Sequence, residues 1–274
     1  MPEVQSGDGT GDLVEVRPGL EREAAPEAVP LLELDPELAK GLSDQQRAEA
    51  APGLLVGTVV LEPKRWRSEL SSRDLFGLLV IDGAVIRRVA ADRGRSLEVL
   101  TKGDLVRPWQ EGVSRDGSSF SALTETRLAI LDQQVANRIA RWPPLFDALL
   151  ERAMRRVRRL GAQAALDSRV GIERRVLLTL MHLAERCGSR TAEGVVIPLP
   201  LSHQMLAELV GAQRPSVSTA LSRLASTGAL KRTDRRGWIV TAVPQRKDRS
   251  PAGRMRTAPA PARARRSTRA TRSD

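Results

Sequence analysis

Hydrogen-bonding side chains are concentrated in one short segment of the chain, between residues 213 and 223. They are Gln213, Arg214, Ser216, Ser218, Thr219, Ser222 and Arg223. Arginine and glutamine can each make two hydrogen bonds to the edge of a purine in the major groove of DNA. Hydroxyl and guanidinium groups also bind phosphate oxygens. The segment therefore has the chemistry of a surface that reads DNA.

Two short helices joined by a tight turn are predicted to hold these side chains. Ser202 can cap the first helix through its hydroxyl, and apolar residues within 206–210 give that helix one buried face. Gly211 can adopt the positive φ that ends it. The second helix begins near Pro215, since proline is tolerated in a first turn, and it repeats apolar residues at helical spacing over 217–224. This pattern predicts a helix-turn-helix, whose second helix enters the major groove.

A charged hairpin is predicted directly after the second helix. A strand at 228–232 leads through a basic turn at 233–237 to a second strand at 238–240. A hairpin in this position is a wing, and its tip can lie over the DNA backbone. The side chains that we expect at phosphates are Arg223, Lys231, Arg235 and Arg236.

The net charge of the chain is +11, and it is unevenly distributed. Residues 1–50 hold 4 basic and 12 acidic residues, whereas residues 151–240 hold 16 and 7, and residues 241–274 hold 10 and 2. An excess of this kind points to a polyanion, most simply nucleic acid. A generally arginine-rich composition explains the total but not its concentration after residue 150. The basic tail either attracts phosphates without regard to sequence or only keeps the chain in solution.

Cysteine and histidine are too few for several kinds of site. The single Cys187 excludes a disulfide framework, a thiolate zinc site and a cysteine-ligated iron–sulfur cluster within one chain. His182 and His203 are the two histidines, which argues against a histidine-rich metal centre. The sequence also lacks a carboxylate cluster, a Ser–His–Asp arrangement and a glycine-rich phosphate loop, so we do not expect an enzyme such as a nuclease.

Residues 54–131 alternate short apolar runs with turn residues, which predicts an antiparallel sandwich or barrel. The predicted strands are 54–61, 76–81, 84–89, 96–100, 120–123 and 127–131. Asp82 and Gly83 lie between two such runs and predict a tight hairpin. One short helix, opened by Asp35 and Pro36 and stopped near Gly53, is predicted before the strands.

Helical periodicity returns after residue 143. An approximate heptad seam over 144–160 predicts self-association, although the same helix could instead lie on the core of its own domain. The seam positions are Phe146, Leu149, Ala153, Met154, Val157 and Leu160. A further amphipathic helix is predicted over 172–186, and a short strand over 195–201.

The segment from Leu206 to Ser218 resembles the helix-turn-helix of the Crp–Fnr family of bacterial transcription regulators, and the order of predicted elements over 35–243 is similar to that family. The resemblance implies an α+β fold with an N-terminal antiparallel β-roll (a jelly roll of the cyclic-nucleotide-binding type), a dimerisation helix over 144–160 and a C-terminal winged helix-turn-helix. It implies a homodimer on a pseudo-palindromic promoter site, with Arg214 reading DNA and RNA polymerase as a further partner. Pro215 stands where the family often carries glutamate, so the base preference does not carry over.

The resemblance is weaker at the family's ligand site. In members that bind cyclic nucleotides, a Gly-Glu pair follows the Gly-Asp turn and an Arg-Ser pair comes later, whereas here residues 105–108 follow Gly103-Asp104 and Ser118-Ser119 takes the second place. Arg107 and Arg115 lie nearby but supply no carboxylate. We therefore do not expect cyclic AMP and predict no cofactor, and the alternatives are a different ligand or none. The single cysteine excludes an Fnr-type cluster, and both histidines fall in the back domain, away from a haem site.

Five segments follow from these patterns. They are a disordered acidic head (1–30), a sensor-like β-roll (31–142), a dimerisation helix and hinge (143–170), a winged helix-turn-helix (171–243) and a disordered basic tail (244–274). A low-specificity nucleoid-type or RNA-binding protein driven by the tail is the alternative function. The apolar runs are too short to cross a bilayer and the first residues lack a signal-peptide pattern, so we expect a cytoplasmic protein with no membrane partner.

Overall fold

A computed structural model describes residues 28–67, 70, 75–91, 94–108, 118–167, 170–233 and 237–241. The strands of the N-terminal β-roll are β1 (Val29–Pro30), β2 (Leu55–Leu61), β3 (Leu75–Asp82), β4 (Ala84–Ala91), β5 (Gly94–Thr101), β6 (Leu105–Val106), β7 (Ser119–Ala122) and β8 (Thr126–Asp132). They form two antiparallel sheets, with strand orders β1-β2-β8-β3-β6 and β5-β4-β7. Each predicted strand is therefore present, within two or three residues at its ends.

The predicted hairpin at Asp82 and Gly83 is wrong. Strand β3 pairs with β8 and β6, whereas β4 pairs with β5 and β7, so the turn carries the chain from one sheet to the other. Gly83 has the positive φ of 79° that its residue type favours. Ala84 is then fixed by Thr126, whose hydroxyl accepts from the Ala84 N–H at 3.1 Å and donates to the Ala84 carbonyl at 3.0 Å.

The single helix predicted before the strands is divided. The chain instead forms α1 (Leu31–Leu34), a 3₁₀ helix (Pro36–Gly41), α2 (Asp44–Ala50) and a second short 3₁₀ turn (Ala51–Gly53). The division occurs because Ser43 starts a new helix. Its hydroxyl accepts from the backbone N–H of Gln46, and the Gln46 side chain accepts from the N–H of Ser43, which is a capping box.

A short helix α3 (Gln133–Ile139), which was not predicted, leads into the long helix α4 (Pro143–Asp167). The first turns of α4 pack on the outer face of the larger sheet, where Leu145 and Leu149 are 2% and 6% exposed. The assignment of Leu149 to the exposed seam was therefore wrong. Leu150, 48% exposed, takes that place.

The C-terminal domain combines three helices with a small sheet. The helices are α5 (Ile172–Cys187), α6 (His203–Val210) and α7 (Arg214–Ser226), and the strands are β9 (Ser189–Thr191), β10 (Gly194–Ile197), β11 (Leu230–Arg232) and β12 (Trp238–Val240). The sheet order is β11-β12-β10-β9. The strand predicted over 195–201 is shorter than expected, because it ends before Pro198, and β9 was not predicted.

The β-roll and the C-terminal domain share one apolar cluster. Ile86 and Val99 of the smaller sheet are buried together with Leu206 and Leu209 of α6. Polar contacts add to this interface, since the Arg186 guanidinium of α5 donates to the carboxylate of Asp104 and to the carbonyl of Val99 at 3.0 Å. Within the described residues, no helix is both long enough and apolar enough to cross a membrane.

Candidate nucleic-acid interface

Helix α6 and the following turn form as their residues predict. The Ser202 hydroxyl accepts from the backbone N–H of Met205 at 3.1 Å, which caps the helix. Leu206, Leu209 and other apolar side chains are buried on one face. Gly211 ends the helix in the left-handed region, at φ 59° and ψ 43°, and this turn sets the angle at which α7 leaves.

Helix α7 buries one face and presents the other to solvent. Its buried side chains are Val217, Ala220, Leu221 and Leu224. This packing turns most of the predicted site residues outward. Those that are exposed are Gln213, Arg214, Ser216, Thr219, Ser222 and Arg223. The structure thus brings six of the ten predicted site residues together on one exposed helix face.

Two hydroxyl groups on this face donate their hydrogens to backbone carbonyls of α7. Thr219 donates to the carbonyl of Pro215 at 3.2 Å, and Ser222 donates to the carbonyl of Ser218 at 3.1 Å. Both oxygens therefore present lone pairs to the outside, which suits them to accept hydrogen bonds from base amino groups. Ser218 differs from them because it is only half-exposed, and its hydroxyl lies 2.9 Å from Nδ1 of His203.

The predicted wing is present as β11 and β12, but its tip is not described. Arg235 and Arg236 lie outside the described residues. Lys231 is paired with Glu193 across 3.1 Å, and both side chains are more than half exposed, so water and salt weaken the pair. A DNA phosphate could therefore displace Glu193 at small cost.

His203 and Arg232 were not predicted as site residues, and they lie where the wing meets the helix-turn-helix. The Arg232 guanidinium stacks over the ring of Trp238 at 4.8 Å and reaches Nε2 of His203 at 3.4 Å. Burial, followed by the positive charges of Arg232 and Arg214, lowers the pKa of His203. The only signal in the sequence was the position of His203 directly after a capping serine.

The region of the predicted ligand turn contains a cavity of about 290 Å³ between β6 and α4. Its described lining includes the guanidinium groups of Arg107, Arg152 and Arg156 and no carboxylate. Arg152 is paired with Asp35, and Arg156 with Glu98. The described residues therefore do not fit a ribose ring, which the family resemblance pairs with a glutamate. Arg115 lies outside the described residues.

Asp104, in the Gly-Asp turn itself, is committed to internal contacts. It is 5% exposed and accepts from the backbone N–H of Thr101 at 2.9 Å. Arg159 of α4 donates to it at 2.6 Å, and Arg186 of α5 donates to its other oxygen. Burial lowers the pKa of Arg186, although Asp104 opposes that shift. Among the described residues, no group of three or more His, Cys, Asp or Glu side chains could hold a metal ion.

Comparison with known proteins agrees with this geometry. Residues 174–245 match the model of the Crp-like helix-turn-helix domain. This part of the chain is therefore similar to Crp-like helix-turn-helix domains. The chain is also similar to a curated relative, the CRP-like cAMP-activated global transcriptional regulator of Mycobacterium tuberculosis. The two sequences are 31% identical over 123 residues. Those residues are 44% of this chain and 51% of the relative, so the chain spans about half the length of the curated relatives it matches.

Solved structures show that the fold around the Crp-like domain is also shared. FixK2 from Bradyrhizobium japonicum has a TM-score of 0.55 at 18% identity, covering 68% of this chain and 93% of that one. A CooA mutant from Carboxydothermus hydrogenoformans has a TM-score of 0.56 at 16% identity, covering 80% and 94%. A CRP-family transcriptional regulator from Thermus thermophilus has a TM-score of 0.51 at 18% identity, covering 68% and 92%. The resemblance to the Crp–Fnr family and the predicted α+β fold, a β-roll followed by a winged helix-turn-helix, are confirmed.

Proposed function

We propose that this chain is a sequence-specific DNA-binding transcription regulator that acts as a homodimer on a pseudo-palindromic promoter site. The observation that carries the proposal is the exposed polar face of α7 in a Crp-like domain. Because Val217, Leu221 and Leu224 fix the buried face, the hydrogen-bonding side chains point together into solvent. A helix of this kind has the size and chemistry to enter a major groove.

The roles of individual residues follow from their positions on α7 and the wing. Arg214 is the first residue of α7 and is exposed, so its guanidinium can reach a guanine edge near the point where the helix enters the groove. Gln213 and Ser216 lie beside it and can bind a base edge or a phosphate. Arg223 lies at the other end of the helix and Lys231 lies on the wing, and we propose that both bind the flanking DNA backbone.

The proposed dimer rests on an apolar stripe along α4. Its large exposed members are Phe146, Leu150, Met154, Val157 and Leu160, which are 39–60% exposed. Within it, Phe146, Leu150, Val157 and Leu160, together with Ala153, follow alternating steps of four and three residues, the spacing of a coiled-coil seam. An exposed stripe of this size in water favours a covering partner. A second α4 in register supplies one and relates two α7 helices by a twofold axis.

Cyclic AMP is not the effector that we propose for this chain. The lining of the cavity beside α4 offers cations without the carboxylate that a ribose would need, and Asp104 is held by Thr101, Arg159 and Arg186. We propose instead that the chain binds its promoter site without cyclic AMP and contacts RNA polymerase there. A low-specificity protein driven by the basic tail is the alternative that the following experiment separates.

The test compares Arg214→Ala with Arg223→Ala on a selected duplex and on a random duplex of the same length. A base-reading arginine should lose about 1–3 kcal/mol on the selected duplex and little on the random one, whereas a phosphate-binding arginine should weaken both equally. Equal losses for Arg214→Ala on both duplexes would contradict its base-reading role. Deleting residues 244–274 should leave the preference for the selected duplex intact. Loss of all binding on that deletion would favour the alternative.

A further inference from the structure

His203 lies where three elements of the C-terminal domain meet. It is the first residue of α6, and its two ring nitrogens contact different neighbours. Nδ1 is 2.9 Å from the hydroxyl of Ser218 on α7, and Nε2 is 3.4 Å from Nη1 of Arg232 on β11. The ring also lies beside Trp238 of β12, with 6.1 Å between ring centroids. One imidazole therefore connects the recognition helix to the wing.

The chemistry of Arg232 determines the protonation of the ring. A guanidinium has donors only, so its contact requires a lone pair on Nε2. The proton of a neutral imidazole must then be on Nδ1, which donates it to the hydroxyl oxygen of Ser218. Burial is the main effect that disfavours a second proton on the ring. The positive charges of Arg232 and Arg214 act in the same direction.

This arrangement also sets the hydrogen-bonding role of the Ser218 hydroxyl. Its oxygen accepts from Nδ1 of His203, so its own hydroxyl hydrogen remains to be donated to another acceptor. Ser218 is half-exposed on the face of α7 that carries Thr219 and Ser222. In the proposed complex, a DNA acceptor such as a purine N7 or a phosphate oxygen would receive this hydrogen.

We propose that His203 is a positioning residue of the DNA-reading surface, holding the recognition helix and the wing in fixed relation through Ser218 and Arg232. This inference rests on the proposed DNA-binding function. A binding surface built from two separate elements needs a supporting contact, because small displacements of either element misalign its hydrogen bonds. His203 supplies that contact from a third element, α6, which is itself anchored in the core by Leu206 and Leu209.

The two arms of the imidazole can be tested separately. The amide of asparagine can take the place of Nδ1, and the amide of glutamine can take the place of Nε2. We expect His203→Ala to reduce the ratio of selected to random duplex affinity about fivefold, the equivalent of one net hydrogen bond. His203→Asn keeps only the arm to Ser218 and His203→Gln keeps only the arm to Arg232, so each should lose part of the ratio. In a Ser218→Ala background, alanine and asparagine at position 203 should bind alike.

The outcomes distinguish this inference from the function on which it rests. A wild-type chain that binds selected and random duplexes equally would overturn the proposed function, and this inference with it. A selective wild-type chain whose ratio is unchanged by His203→Ala, at an unchanged melting temperature, would overturn this inference alone. If His203→Ala unfolds below the assay temperature, the Asn and Gln variants decide, and a wild-type ratio for both of them would overturn it.

Discussion

Arg88 in strand β4 donates a hydrogen bond of 2.9 Å to the carboxylate of Glu208 in helix α6. The two side chains are 27% and 11% exposed, and they join the β-roll to α6, the first helix of the helix-turn-helix. Glu208 also accepts from Gln204 at 3.2 Å on its other oxygen. The pair lies beside the apolar cluster that the two domains share. Its removal should therefore destabilise both domains.

Charge substitutions at this pair should loosen the interface. Arg88→Ala should lower the free energy of unfolding by about 1 kcal/mol, because a partly exposed charged hydrogen bond is lost. It should also speed proteolysis between the domains. The exchanged pair Arg88→Glu with Glu208→Arg should recover most of the loss in urea unfolding. Losses that simply add in the double variant would show that the two side chains do not interact.

A second ion pair, between Asp35 and Arg152, is buried and should matter more. Arg152 donates to both carboxylate oxygens of Asp35, at 2.5 and 3.0 Å. The Arg152 side chain is 7% exposed and the Asp35 side chain is 1% exposed. Asp35→Ala leaves a buried guanidinium unpaired and should lower the free energy of unfolding by about 3–5 kcal/mol.

The matched control is Glu151→Ala, at the position directly before Arg152 on α4. Glu151 pairs with Arg155 and Arg158, and all three side chains are more than half exposed. Its removal should change the free energy of unfolding by about 0.5 kcal/mol or less. Equal losses for Asp35→Ala and Glu151→Ala in the same denaturant titration would contradict the ranking by burial.

The apolar stripe of α4 predicts how self-association can be removed. Val157 is the most exposed member of the stripe, at 60%, so Val157→Glu should place a charge in the proposed seam and give a monomer of 29.9 kDa by sedimentation. Arg155 is 53% exposed and lies about 160° away around the helix, so Arg155→Glu should leave the dimer intact. A wild-type chain that sediments as a monomer at micromolar concentration would contradict the proposed seam.

The lowered pKa of His203 predicts a dependence of stability on pH. The unfolded chain takes up the proton near the ordinary value of 6.5, whereas the folded chain resists it until a lower pH. Stability from this group is therefore present above pH 6.5 and is lost as pH falls toward the lowered pKa. Unfolding titrations at several pH values should show wild type losing stability relative to His203→Gln as pH falls from about 7.5 to about 5. If stability falls with pH in parallel for wild type and His203→Gln, the lowered pKa of His203 is contradicted.

Local signals accounted for the helix-turn-helix and for most of the β-roll strands. Ser202 and Gly211 specify a helix start and a helix end through their own backbone geometry, so the sequence alone located α6. Gly83 was informative in the same way about a turn, but a positive φ does not say which sheet the next strand joins. The hairpin prediction failed for that reason.

What the sequence could not supply depends on contacts between distant segments. Leu149 and Leu150 have similar hydrophobicity, and only packing against the β-roll decides that the first is buried and the second exposed. His203 contacts a hydroxyl 15 residues away and a guanidinium 29 residues away, so no local pattern could assign its role. The phosphate-binding roles of Arg235 and Arg236 remain predictions.

Selection of bound duplexes from a random pool, with the purified full-length chain and no added ligand, tests the central claim most directly. The account predicts one enriched motif with inverted half-sites whose centres are about 10 base pairs apart, since two α7 helices would enter successive major grooves. Arg214→Ala should weaken enrichment at the matching position in both half-sites. A pool that shows no enriched sequence, while the chain still binds DNA at low salt, would contradict sequence-specific recognition by α7.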